Sequence, residues 1–335
     1  MKRFSISVCG FLIITTIIFF PIRSVFPLDK IKFPYTPIGW ESLTWWIAKD
    51  AGLFEKYGLD VDLLFQGASS EIIQGMLAGD ANMAGLAGPA VIANVLKGGD
   101  VIQAAALVKT FTIPLYAHSS IKTLADLRGK KVGVSRFGTV THLTAVVVLQ
   151  RAGVKDVTII QTGGIPESAA ALSSGAVAAA TVLPPQSIML REKGFRELVG
   201  LKELKEMNIP FVENGLVVRR SYANRNPDLV KRFLKATMEG MKRMFGDKEF
   251  SMRVIAQYTK VTDPKLLGES YQFATDAYVK DPGIPLEAEK ALVDQLILLK
   301  MIDAEAAKNT PATAYYDNQY VEALEKEGFF KKLWQ

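Results

Sequence analysis

The sequence predicts an α/β fold: two successive units of parallel sheet flanked by helices, then a long helical region. Three observations carry this. Between residues 35 and 93 an apolar strand pattern runs three times into a Gly, Pro or Ser loop and on into a helix pattern. A second series of the same kind begins near residue 123. From Pro227 onward the pattern is helical almost throughout. In open α/β sheets, ligands bind beyond the carboxyl ends of the strands, where such loops gather. The early loops therefore form one candidate wall of a site, and the later chain the opposite wall.

In the first unit, residues 30–35 read as a short strand ended by Thr36-Pro37-Ile38-Gly39. Ser42 is placed to cap a helix with Leu43, Trp46 and Ile47 on one face. Gly52 interrupts it, and residues 53–57 add one more turn. Residues 60–65 alternate Val61, Leu63 and Phe65, the period of a strand. Ser69 or Ser70 opens a helix with Ile72, Ile73, Met76 and Leu77 inward, closed by Gly79. Residues 81–86 form a buried strand, and Gly88-Pro89 starts the next helix with Pro at the tolerated first position. A further strand covers 101–108.

The second unit begins extended over 113–117, with a helical turn at 124–127, a stop at Gly129 and a strand to Val134. Loop 135–141 leads into a helix reaching Arg151, and 156–161 is a strand. Residues 163–166 form a loop, 167–175 a helix and 177–183 a strand, and Pro184-Pro185 introduces another helix. The chain returns extended over 211–218. Amphipathic helices follow over 227–245, 248–258, 264–279, 285–301 and 317–327, which cover an existing unit without building a third.

With 49% apolar and 22% charged residues, the 335-residue chain is globular and long enough for two domains. The leader, Met1-Lys2-Arg3 and then an apolar run over 4–22, has the form of a secretory signal with cleavage expected after Ser24. Its length also suits an uncleaved membrane anchor. Either way the body lies outside the cytoplasmic membrane. Of the formal charge of +6, Lys2, Arg3 and Arg23 supply three, so the body carries +3, with no long basic cluster to hold nucleic acid. Cys9, the only cysteine, lies in the leader, which excludes disulfides, thiolate metal sites and a cysteine nucleophile from the body.

No G-x-S-x-G elbow, P-loop or G-x-G-x-x-G is present, and His118 and His142 stand far apart in sequence. No cofactor and no metal are expected. Glu203 and Glu206 sit on a Lys-rich helix, as solvated charge does. Trp46 shares a face with Leu43 and packs in the core, whereas Trp40 precedes the helix in a loop, where it either packs or stacks on a ligand. The helix starts are the sharper signal. Ser69-Ser70, Gly88-Pro89 and Thr139-Val140-Thr141 place backbone N–H groups and hydroxyls where an anion or polar head group is held without a metal. Each alone is an ordinary cap, but together they mark a cleft. Arg136 is a charge partner for a ligand or for a surface acid.

Several motifs resemble the nitrate/sulfonate/taurine/bicarbonate type of periplasmic substrate-binding proteins of ABC transporters. They are Trp46-Ile47-Ala48-Lys49-Asp50-Ala51-Gly52-Leu53-Phe54-Glu55-Lys56-Tyr57-Gly58-Leu59-Asp60-Val61, then Leu77-Ala78-Gly79-Asp80, and the Lys97-Gly98-Gly99 turn. Leu124-Ala125-Asp126-Leu127-Arg128-Gly129-Lys130-Lys131-Val132-Gly133-Val134 and Gly138-Thr139-Val140-Thr141-His142-Leu143 complete the likeness, which covers residues 30–245. It implies a two-lobed type II periplasmic-binding-protein fold, with lobe I at 25–112 and 216–335, lobe II at 113–215, and two extended crossovers as the hinge. It implies a ligand between the lobes, met by Gly39, Trp40, Ser42, Ser69, Ser70 and Gly88 from one and by Arg136, Thr139, Thr141, Pro166 and Pro184 from the other. Asn214, near the second crossover, adds an amide.

The implied function is capture of a small anionic solute (a sulfonate, nitrate or organic acid) and delivery to a membrane permease, by a monomer with no nucleic-acid partner. Two alternatives share the fold. One is an enzyme like the thiamine-pyrimidine synthases, which implies a cysteine-rich motif that the body lacks. The other is a sensor domain that presents ligand to a membrane regulator.

Overall fold

The computed structural model describes residues 27–209 and 211–335. The expected leader, 1–24 with Cys9, lies outside the described residues. Among the described residues, ten strands form two five-stranded sheets. The chain lays down β1 (Asp29–Tyr35), β2 (Leu59–Phe65), β3 (Met83–Leu86) and β4 (Val101–Val108). It crosses over and forms β5 (Leu115–Ala117), β6 (Lys131–Val134), β7 (Thr158–Gln161), β8 (Ala179–Thr181) and β9 (Arg196–Val199). It then returns as β10 (Asn214–Arg219). The orders are β2-β1-β3-β10-β4 and β7-β6-β8-β5-β9. In the first sheet β1 runs parallel to β2 and β3, while β10 inserts antiparallel between β3 and β4. In the second, β6 runs parallel to β7 and β8, and β5 antiparallel to β8 and β9.

The first sheet's core is aromatic. The helix Leu43–Asp50 lies on it with Trp45 against Phe33 (ring centroids 5.1 Å apart), while Trp46 stacks on Tyr258 at 4.7 Å. Gly85 on β3 lets Trp45 lie flat on the strand: a Cβ there would be 2.2 Å from the indole. Of the C-terminal helices, Pro227–Gly246 packs on Leu43–Asp50 and Lys248–Thr259 supplies Tyr258. The helix Leu286–Leu298 joins the second core, where Leu292 and Leu296 meet Leu115, Phe211 and Leu143.

Several local expectations shift. Trp40 stands in a 3-10 turn, Trp40–Ser42, not in a loop. The cap residue of the helix Ser69–Ala78 is Ala68, and Leu77, expected inward, is exposed. The third α/β helix of the second unit is Ile165–Ser173, so Pro166 lies in its first turn and not in the loop. Sequence periodicity missed β9, because Arg196-Glu197-Leu198-Val199 is short and half polar. Glu203 caps its own helix by accepting from the Gly200 N–H at 2.9 Å.

The chain passes between the sheets twice, over residues 109–114 and 211–213. The two crossovers are bound to each other. Phe111 stacks on Phe211 with centroids 4.0 Å apart and planes 13° apart. Thr112 donates its backbone N–H to Glu213 Oε2 at 2.6 Å and its hydroxyl to Oε1.

Candidate functional site

The loops after β1, β2 and β3 and those after β6, β7 and β8 lie at strand carboxyl ends in the two sheets. They meet. Arg136, after β6, pairs with Glu71 in the first turn of the helix Ser69–Ala78 at 3.3 Å. Leu183, after β8, is buried in the first sheet's core, and Val140 and Ile165 pack against it. Farther out, Arg191 pairs with Glu269, Lys265 with Glu192 at 2.8 Å, and Lys205 donates to the Asp276 carbonyl, tying the second unit to the helix Pro264–Ala277.

In the first wall, Gly39 is buried and extended. Trp40 is 1% exposed, its ring against Phe273 (5.2 Å) and edge-on to Tyr278 (5.7 Å). Its indole thus packs on the C-terminal helical region. Ser42 is also buried. Its hydroxyl donates to the Pro37 carbonyl at 2.7 Å, which fixes the preceding loop and does not cap the helix. Ser69 is half-buried and Ser70 exposed, at the first two positions of their helix. Gly88 is buried with its N–H on Val212 O of the second crossover at 3.4 Å.

In the second wall, Arg136 is exposed and also donates to Gly163 O at 3.3 Å. Thr139 and Thr141 form a hydroxyl cluster with Ser135: Thr139–Thr141 and Ser135–Thr141 are each 2.7 Å apart, and Ser135–Thr139 3.1 Å. Thr139 Oγ1 donates to Arg136 O at 2.7 Å, so these hydroxyls brace the Arg136 loop. Pro166 is exposed and Pro184 buried. His142 accepts from the Gly138 N–H at 3.3 Å, and burial holds its imidazole below its ordinary pKa. Among the described residues no group of three or more His, Cys, Asp or Glu could hold a metal ion.

Asn214 opens β10 and is buried; its Nδ2 donates to the Glu41 carbonyl at 3.0 Å. Sequence reasoning missed its two acidic neighbours. Glu41 and Glu213 are both buried, and burial pushes each carboxyl up to about 8. The charge of Glu41 adds to the shift of Glu213, while hydrogen bonds from Thr112 oppose it. The sequence signal available was slight: an acid two residues after a Gly at a helix start, and an acid near the start of a predicted extended segment. Sequence reasoning also missed Ser135 and Glu71, partners of predicted residues.

A depression of about 770 Å³ lies elsewhere, over Lys30, Lys32, Asp60, Asp62 and Asp80 on β1, β2 and the approach to β3. It begins at the amino ends of these strands, and its lining of alternating opposite charges is a solvated sheet face. The strand-end loops remain the candidate site.

The profile of the family described as "NMT1/THI5 like" matches residues 41–249. A Brucella abortus protein named as a candidate binding protein is 28% identical over 231 residues, 67% of this chain and 70% of that protein. Three solved structures share the fold. The alkanesulfonate-binding protein SsuA from Xanthomonas axonopodis pv. citri, bound to MOPS, superposes with a TM-score of 0.71 at 16% identity, covering 85% of this chain and 97% of that one. The periplasmic aliphatic sulphonate-binding protein SsuA from Escherichia coli gives 0.69 at 18%, covering 86% and 99%. The nitrate-binding protein NrtA from Synechocystis PCC 6803 gives 0.64 at 16%, covering 87% and 92%. The matched profile spans most of both sheets, and the chain belongs to the NMT1/THI5-like family with the two-lobed fold of periplasmic binding proteins.

Proposed function

We propose that this protein captures a small acidic solute, of the sulfonate, nitrate or organic-acid class, between two lobes and delivers it to the membrane permease of an ABC transporter. The observation that carries this reading is the meeting of strand-end loops from two sheets across the Arg136–Glu71 pair. The lobes are residues 25–112 with 216–335, and 113–215, with Asn214 and Gly215 joining the first sheet as the start of β10, and they hinge at the paired crossovers. Ligand preference for the closed arrangement drives closure. The names of the structural neighbours favour the solute class, and Arg136 with the helix starts at Ser69, Gly88 and Thr139 supplies anion-seeking groups. The protein turns nothing over: its work is binding, as a monomer outside the cytoplasmic membrane.

Thermal-shift screening against sulfonates, nitrate, carboxylates and pyrimidines tests this. A true ligand at a hundred times its Kd stabilises by about 2.7 kcal/mol. The absence of any shift across the panel would defeat the reading, and chemical change of a bound compound on long incubation, read by mass spectrometry, would replace it with an enzyme.

A further inference from the structure

The turn that opens the first wall holds a buried carboxyl oxygen that no hydrogen bond among the described residues uses. Glu41 is 3% exposed, and its Oε2 has no hydrogen-bond partner among the described residues. That oxygen hangs over Gly39, where an added Cβ would lie 2.5 Å from it. The backbone around it is fixed: the Glu41 carbonyl accepts from Asn214 Nδ2 and from the Tyr278 hydroxyl. Asn214, also 3% exposed, thereby turns its Nδ2 to the Glu41 carbonyl, and its Oδ1 has no partner among the described residues. Glu213 adjoins it in the chain and feels the charge of Glu41. The place where β10 starts beside the Trp40–Ser42 turn is therefore rich in acceptors. Among the described residues no cation contributes to the surroundings of either carboxyl.

Buried acceptors without donors are rare in folded proteins, and a buried carboxyl without a cation is costly. Burial holds both carboxyls well above the usual carboxylate range. We propose that Glu41, with Asn214 and Glu213 beside it, is the receptor for an amine or similarly N–H-rich cationic head group on the captured solute. This rests on the reading of the strand-end loops as the solute site, and it narrows the solute to one that carries such a head group together with its acid. The N–H donors of the head group satisfy Glu41 Oε2 and Asn214 Oδ1, and its charge offsets the two acids. Glu41 is then the residue that sets specificity, while Glu213 positions the crossovers through Thr112.

Matched solutes that differ in one group test this: taurine against isethionate, and β-alanine against 3-hydroxypropionate, by isothermal titration with wild type and Glu41→Gln. In the wild type the amine member of a pair binds at least about ten-fold tighter, as a buried charge-assisted hydrogen bond requires, and in Glu41→Gln that preference falls to about two-fold or less. The solute-free melting temperature of Glu41→Leu supplies an independent reading. At pH 8 it equals or exceeds that of wild type, as befits a side chain kept for a ligand at the expense of stability. A clear loss of stability in Glu41→Leu makes the carboxyl structural and overturns the inference. Hydroxyl members that bind as tightly as amines, or a preference that survives Glu41→Gln, overturn it and leave solute capture intact. Silence from all four solutes and from the broader screen overturns both.

Discussion

Raising the pH with no solute bound charges carboxyls that the fold holds in dry surroundings. Burial pushes the carboxyls of Glu41 and Glu213 each up to about 8 in the folded chain, from an ordinary 4.5. Between those values the folded chain keeps protons that the unfolded chain gives up, so stability falls as pH rises. The contribution is complete below pH 4.5 and is lost as pH passes through about 8. Each group contributes a slope of about 1.4 kcal/mol per pH unit in this window. At this chain length about 1 kcal/mol moves Tm by roughly 1.5 °C, so each carboxyl lowers Tm by about 2 °C per pH unit. Glu289, buried against Gln103 and raised to about 7, steepens the lower part of the curve. Glu327, held low by Lys235 and Lys231, and Asp126, held low by the backbone N–H groups of Lys122 and Thr123, finish titrating below the window and leave it unchanged. Melting curves by near-UV circular dichroism from pH 5.5 to 8.5 check this in wild type and in Glu41→Gln. Wild-type Tm should fall steadily. In Glu41→Gln the slope should shrink by at least about 2 °C per pH unit, because the amide cannot ionise and Glu213 loses a like-charged neighbour. Parallel slopes in the two proteins would refute the reasoning.

Three substitutions probe other parts of the argument. Gly85→Ala drives a Cβ to 2.2 Å from Trp45 and should cost about 2–3 kcal/mol of stability in chemical denaturation, because the indole is walled in by Phe33. Glu213→Ala leaves the Thr112 N–H and hydroxyl without their acceptor and should cost about 1–3 kcal/mol, with a broader inter-lobe distance distribution in spin-label spectroscopy; an unchanged distribution would free the hinge from this contact. Arg136→Ala removes an exposed ion pair, so stability should change by less than about 1 kcal/mol, while affinity for an acidic solute should drop by about 1.5–3 kcal/mol in titration calorimetry. Equal affinity would assign Arg136 to Glu71 alone.

Much of the fold was legible because its signals are local. Gly79 adopts φ +90 as a helix stop, Pro89 sits in the first turn of its helix, and Val61 points into the core as its alternation requires. The site was legible as loops but not as side-chain environments. Trp40 is buried because Phe273 and Tyr278 cover it from more than two hundred residues downstream, which no window near Trp40 contains. Glu41 and Glu213 escaped notice in the sequence, since charged residues are rarely inside. Their burial comes from the return of β10 and from the C-terminal helices. Arg136 was identified, but its partner Glu71 lies on the other wall and has no sequence relation to it.

The insertion of β10 between β3 and β4 has a consequence for biosynthesis. When residue 108 leaves the ribosome, β3 and β4 have no common neighbour, and the strand that will join them is still more than a hundred residues from being made. The sheet of β5 to β9 is contiguous in the chain, from residue 115 to residue 199, and can close as it emerges. The later-made lobe thus matures first, and the N-terminal strands wait for it. Pulse-labelled hydrogen exchange during refolding should show protection over 115–199 before β3 and β4 acquire it, and the reverse order would contradict this sequence of events.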